Sequence, residues 1–321
     1  MRSFGKLMAA IALAFPAVVA TPTVHSRPPA TAQDARDAYI QQQVAAIVAQ
    51  GRGRIGVAAM DLDGGGQIFI NGDQPFPMAS VSKIAVAAAY LKSVESGRFR
   101  MDQQFPLMVP MYEAPARRSL VAPVKAGNLL TAQTLMEMMI TRSNNQATDA
   151  LIAALGGPAA VNRWLGTAGI TGQQLDHTMA TLVRDDGAID PAKVIDVRTS
   201  STPRSMLALL AAIDKGSVLN ESSRAILLGT MTRTTTGSRR IRAGLPAGTL
   251  VAHKTGTLAG VTNDAGIIRL PDGRHLALVV FVTGPEGHRA HDALIAQITQ
   301  VVYNGYANNS GGASTIPVRR R

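Results

Sequence analysis

Apolar positions change their period repeatedly along the chain, and each change marks an element. Residues 34–50 carry Ala38, Ile40, Val44, Ile47 and Val48 near helical spacing and stop at Gly51, which predicts a first helix. The period then falls to that of strands: 55–62 and 67–70 flank Asp63-Gly64-Gly65-Gly66, a hairpin with a permissive turn. An Ala-, Val- and Leu-rich stretch at 80–96 predicts a helix, and 130–154 and 158–166 add more. Pro203, behind Ser201 and Thr202, opens a capped helix over 204–215. Strand character returns at 250–254, 264–270 and 276–282, with Pro271-Asp272-Gly273 as the last turn, before a closing helix at 290–303. Strands near both ends with helices between predict an α+β body whose sheet is assembled from the two chain ends around a mainly helical middle.

The termini read differently from the body. Residues 1–20 have a basic start (Arg2, Lys6), an apolar run over 7–19 and small residues at Val18 and Ala20, the pattern of a signal peptide. Pro16 interrupts that run, which is shorter than the ~20 residues needed to span a bilayer. No later stretch is longer and as apolar, so the expectation is a periplasmic or secreted protein with no stable membrane insertion. Residues 21–33 form a flexible lead-in rich in Pro, Thr and Ala, and 307–321 a basic tail. The body between, 34–306, divides into sheet parts at about 34–75 and 217–306 and a helical part at about 76–216.

Charge raises a question that its distribution answers. With 32 Lys+Arg against 21 Asp+Glu the chain is at +11, which suggests a polyanion as partner. Yet Arg2, Lys6, Arg319, Arg320 and Arg321 lie in the leader and tail, and aromatics are only 4% of residues, too few for a base-stacking surface. No nucleic-acid partner is expected. The absence of Cys excludes a disulfide scaffold, a cysteine nucleophile and a Cys-based zinc site. His288 and His291, three apart at a helix start, complete no ligand spacing with Glu286 or Asp292, so no metal is expected.

Three short motifs carry the chemistry. In Ser80-Val81-Ser82-Lys83 a hydroxyl and an amine stand one helical turn apart at a helix start. The apolar run behind them would desolvate Lys83 and lower its pKa, as a base requires. Ser143-Asn144-Asn145 follows a helical run and offers a hydroxyl and an amide two residues apart. Lys254-Thr255-Gly256-Thr257 lies in a strand where Gly256 permits close approach of a substrate backbone. Taken singly, each has an ordinary reading as a helix start, a turn or a protected edge strand.

In this order the three are the motif set of penicillin-interacting serine enzymes, and the chain resembles the class A β-lactamase family over roughly residues 34–304. The resemblance implies that family's fold, an antiparallel sheet flanked by helices plus a helical subdomain, acting as a monomer without a cofactor. It implies Ser80 as the acylated nucleophile, Lys83 as its base and Ser143 as a proton relay to the leaving nitrogen. Asn145 would hold the substrate amide, Lys254 and Thr255 its carboxylate beside Gly256, and Ser80 and Thr257 would supply oxyanion N–H groups. Arg240, within Thr236-Gly237-Ser238-Arg239-Arg240-Ile241-Arg242, matches a position that reinforces carboxylate binding in some members. The substrate would be a β-lactam or a cell-wall peptide.

One part of the pattern is missing. Efficient members place a deacylating glutamate on a long loop, and the counterpart here reads Leu175-Asp176-His177-Thr178-Met179-Ala180-Thr181-Leu182-Val183, with Met179 at the glutamate's place. The chain's glutamates are Glu95, Glu113, Glu137, Glu221 and Glu286, none of them in that loop. Asp185 and Asp186, further along the loop, are the candidate carboxylates to take its place. Intact acylation with slow or different deacylation is therefore expected, alongside two alternatives: a D,D-peptidase acting on cell-wall peptide, or a non-hydrolytic sensor of β-lactam or peptidoglycan.

Overall fold

The computed structural model describes residues 31–111 and 119–308, so the leader-like segment and residues 309–321 of the basic tail lie outside the described residues. Helix α1 (Ala32–Val48) starts at a capping box in which the Thr31 hydroxyl accepts from Asp34 N and the Asp34 carboxylate accepts from Thr31 N. The hairpin β1 (Arg54–Asp61) and β2 (Gln67–Ile70) follows. A short strand β3 (Phe76–Pro77) leads into a 3-10 turn, Ala79–Ser82, and helix α2 (Lys83–Glu95). Strands β4 (Gln104–Pro110) and β5 (Val124–Thr131) pair antiparallel, and α3 (Ala132–Thr141), α4 (Asn145–Leu155), α5 (Pro158–Thr167) and α6 (Met179–Arg184) come next. Strand β6 (Ser200–Ser201) pairs with β3 and precedes α7 (Pro203–Asp214), which is capped by Thr202, and α8 (Glu221–Thr232). The chain closes with β7 (Val251–Leu258), β8 (Val261–Arg269), β9 (His275–Thr283) and α9 (His288–Ala307).

The large sheet runs β2-β1-β9-β8-β7, every neighbour antiparallel, so that β1 and β9 join the two chain ends in its middle. Both of its faces are covered. In β9, Leu276, Leu278, Val280 and Val282 face a core shared with Ile40 and Val44 of α1 and Ile295 and Ile298 of α9. Ala277, Val279 and Phe281 face the larger core shared with α2, α3, α4 and α7. Covering both faces explains why 276–282 reads as an unbroken apolar run rather than an alternating one.

Two predicted helices are divided, and both divisions matter to the site. The stretch 80–96 begins as a 3-10 turn and becomes α-helical only at Lys83. The stretch 130–154 opens with the end of β5 and breaks between α3 and α4, where Ser143 adopts φ +55° and Asn144 caps α4 through Ala147 N. Hydrophobic patterning did not predict β4, β5, α6 or α8. The β4–β5 pair is half-buried to exposed, α6 has six residues, and α8 buries only Ser223, Leu227, Thr230 and Met231.

Candidate active site

The site forms where β7, an edge strand of the large sheet, meets the 3-10 turn carrying Ser80. A Cβ on Gly256 would stand 2.5 Å from Met78 O and 3.1 Å from Ala79 Cβ, so glycine lets strand and turn close together. Ala79 takes φ +49°, a left-handed conformation that costs a residue with a side chain about 1–3 kcal/mol. Asn263 Nδ2 pins the turn from β8 by donating to Pro77 O at 2.7 Å and Met78 O at 3.2 Å. Ser80 is thereby held half-buried at the mouth of α2, one turn ahead of Lys83.

Lys83 is fully buried. Its Nζ donates to Asn145 Oδ1 at 2.7 Å, Ser143 O at 2.7 Å and Ser143 Oγ at 3.2 Å. From the strand side the fully buried Lys254 donates to the same Ser143 Oγ at 3.0 Å and to Thr255 O at 2.8 Å. One hydroxyl thus lies between two amines. Burial, reinforced by the charge of Lys254, pushes Lys83 well below the ordinary lysine range, and Asp149 opposes that shift. Burial lowers Lys254 to about 7; Asp264 pulls it up and Arg240 pushes it further down. Two amines of lowered basicity joined through a hydroxyl can pass a proton in either direction, which an ordinary solvated lysine pair cannot do at neutral pH.

On the strand side, Thr255 Oγ1 lies 2.6 Å from Thr236 Oγ1, and Thr257 at the rim is exposed. Arg240 stands behind the strand, not free in the cleft. Its Nε donates to Asp292 Oδ1 at 2.7 Å, Nη1 to Gly256 O at 3.0 Å and Asn263 O at 2.9 Å, and Nη2 to Thr257 Oγ1 at 2.7 Å. Only the bond to Thr257 connects it to the substrate side. Deeper still, His253 Nδ1 is 2.9 Å from Asp264 Oδ1 while its Nε2 accepts from Arg242 at 3.1 Å.

The loop residues resolve into two groups. Asp185 is paired with Arg184, and Asp186 Oδ1 accepts from Ala259 N at 2.8 Å; both line a cavity of about 170 Å³ together with His177, Leu182 and Leu258. Neither is bonded to Ser80, Lys83 or Ser143 among the described residues. Met179 and Ala180 instead line a second cavity, of about 200 Å³, with Asn145 and Gln146. Sequence reasoning missed the carboxylate that holds this wall. Asp149 accepts from Met179 N at 2.6 Å and Ala180 N at 2.8 Å, and its place four residues after Asn145 on α4 was the available signal. His291, at the start of α9, is fully buried, and Thr262 Oγ1 lies 3.1 Å from its Nδ1 and 2.9 Å from that of His288. No cluster of three potential metal ligands occurs among the described residues.

Comparison with known proteins agrees with this geometry. Residues 39–306 match the model of the β-lactamase enzyme family. The extended-spectrum β-lactamase PER-1 of Pseudomonas aeruginosa is 32% identical over 84% of this chain and 88% of its own, and β-lactamase Toho-1 of Escherichia coli is 33% identical over 83% and 89%. A β-lactamase structure from Chitinophaga pinensis superposes with a TM-score of 0.73 at 32% identity, covering 84% of this chain and 99% of that one. PBP-A, solved as a point mutant in an acyl-enzyme complex with penicillin G, superposes with a TM-score of 0.72 at 28% identity, covering 84% of this chain and 97% of that one.

Proposed function

Because this chain belongs to the class A β-lactamase family and is a serine β-lactamase-like hydrolase, we propose that it reacts with β-lactams through an acyl-enzyme on Ser80 that is released slowly. The observation that carries the reading is the Ser143 hydroxyl held between Lys83 and Lys254, next to the turn bearing Ser80. Neutral Lys83 takes the Ser80 Oγ proton as Oγ attacks the lactam carbonyl. The Ser80 and Thr257 N–H groups receive the oxyanion. As the C–N bond breaks, Ser143 Oγ gives its proton to the ring nitrogen and is resupplied by Lys83, which returns the proton balance to its start. Lys254 and Thr255 bind the substrate carboxylate, and Asn145 its side-chain amide. Residues 1–20 would export the protein to where such substrates occur.

Release needs a water and a base to activate it. Met179 has a thioether that cannot accept a proton at neutral pH, and Asp149 spends its oxygens on two backbone N–H groups. Without a well-placed base the step slows by roughly 10²–10⁴-fold. The same observation, with the likeness to PBP-A, favours a second reading in which the natural acyl donor is a cell-wall peptide. A chromogenic cephalosporin tests the first reading: one equivalent of colour in a burst followed by a slow steady rate supports it, and fast linear turnover without a burst overturns slow release. Cleavage of a D-Ala-D-Ala peptide without lactam hydrolysis would select the second.

A further inference from the structure

The reaction above gives no task to the two histidines at the start of α9. His291 is buried and His288 exposed, yet both bring Nδ1 to one hydroxyl, Thr262 Oγ1 of β8, because positions three apart share a helical face. A hydroxyl has one proton, so Thr262 donates to one imidazole and accepts from the other. Nε2 of His291 is buried without a partner among the described residues, and a buried N–H without an acceptor is rare. That sets the direction of the chain. His291 Nδ1–H donates to Thr262 Oγ1, Thr262 O–H donates to His288 Nδ1, and His291 Nε2 is left as a bare lone pair. His288 shares a cavity of about 360 Å³ with Glu286 and Asp190, the latter paired with Lys193. The chain also stands behind the substrate wall: Thr262 is the register partner of Thr257, and Asp292, next to His291, anchors the Arg240 that supports Gly256, Asn263 and Thr257.

We propose that His288 and His291 are positioning residues that latch α9 to β8 through Thr262, behind the active-site strand, and that a proton on His288 opens the latch. An imidazole is the side chain that takes up a proton between pH 8 and pH 5. On His288 Nδ1 that proton turns an acceptor into a donor facing the Thr262 hydroxyl. Thr262 can then keep both contacts only by donating to His291, which moves the His291 proton to Nε2, where nothing accepts it. Either His288 leaves the hydroxyl or His291 carries an orphaned N–H, and both weaken the hold on α9. The new cation also sits in the first turn of α9, at the positive end of the helix dipole. His291 does not take the proton in its place. Burial pushes it below the ordinary histidine range; Glu286 and Asp292 pull it up, and the positive charges of His288 and Arg240 push it further down.

The effect on substrate rests on the acylation proposed above, so the test reads the latch first, in the full-length protein. Imidazole nitrogen NMR at about pH 8 should find the His291 proton on Nδ1. The Ala290 and His291 amides both donate to Gly287 O in the first turn of α9. Their protection from hydrogen exchange should fall about 3–10-fold from about pH 8 to about pH 5.5, the loss that one hydrogen bond sets. His288→Asn keeps an acceptor oxygen near the Nδ1 position and takes no proton there, so its protection should hold. Over the same range the β-lactam concentration for half-maximal acylation should rise by up to about 10-fold more in the parent than in His288→Asn, a pH dependence that simple structural damage does not produce. A His291 proton on Nε2 at about pH 8 would overturn the direction of the chain. Protection that holds in the parent, or falls equally in His288→Asn, would overturn the latch. Equal shifts in half-maximal acylation would overturn the positioning role. If neither protein acylates, the proposed function fails, and the NMR and exchange still decide the latch.

Discussion

Lys254 offers the largest effect that can be worked from the structure. It is fully buried, and its amine is lowered to about 7, against ~10.4 in an unfolded chain. The folded state therefore binds fewer protons than the unfolded state between those values, and stability from this group rises with pH across that window. Below about pH 7 the full cost applies, about 4–5 kcal/mol at ~1.4 kcal/mol per unit; near pH 9 about 2 kcal/mol remains. Lys254→Met removes the charge in a similar volume. The variant forfeits the bonds to Ser143 Oγ and Thr255 O, and the stranded Thr255 carbonyl costs about 1–3 kcal/mol. The balance is a variant more stable than the parent by about 1–3 kcal/mol near pH 6, with the advantage gone or reversed near pH 9, while carboxylate-dependent substrate binding is lost. Thermal unfolding of both proteins across this range reads it directly, since 1 kcal/mol shifts the midpoint by roughly 2–4 °C in a protein of this size or somewhat smaller. A variant less stable than the parent near pH 6, or a difference independent of pH, would refute the burial cost on which the lowered amine depends.

Other substitutions separate the remaining roles. Gly256→Ala drives a Cβ to 2.5 Å from Met78 O, so the turn bearing Ser80 must retreat; acylation should fall by about 10²-fold with the melting point lowered only slightly, and unchanged acylation would show that strand and turn have slack. Arg240→Ala strands Asp292 and the carbonyls of Gly256 and Asn263 and should cost about 3–5 kcal/mol in a melting experiment; a loss confined to KM would instead make Arg240 a substrate-binding group. Met179→Glu places a carboxylate in the cavity wall and should raise the steady-state rate by about 10²-fold or more without raising the acylation rate; no change in release would show that a base at this position cannot reach the acyl group.

What could be read from the chain alone follows from where side chains carry chemistry. Ser80, Lys83, Ser143, Asn145 and Lys254 were legible as candidates because each sits in a short motif whose residue types are needed together; the structure joins Lys83 and Lys254 through the Ser143 hydroxyl, with Asn145 also on Lys83. The sheet was legible because β1 and β9 are dense apolar runs. Asp149 was not, since an Asp inside an otherwise apolar helix shows its purpose only when α6 is seen to dock on it. Arg240 was read from the segment before the Lys-Thr-Gly strand, but whether its guanidinium faces substrate or supports backbone depends on Asp292, 52 residues further on. The burial of His291 had the same origin, because Thr262 on β8 receives it. Pairings between distant segments were the common gap.

The claim at the centre, a nucleophilic Ser80 whose acyl group leaves slowly, is tested most directly by intact-protein mass spectrometry after mixing with benzylpenicillin. The expected result is near-complete conversion to a species heavier by one penicillin, located on the peptide containing Ser80, persisting for many minutes and absent from Ser80→Ala. No adduct together with no turnover, or an adduct that survives in Ser80→Ala, would contradict the nucleophile; rapid turnover with no accumulating adduct would contradict slow release.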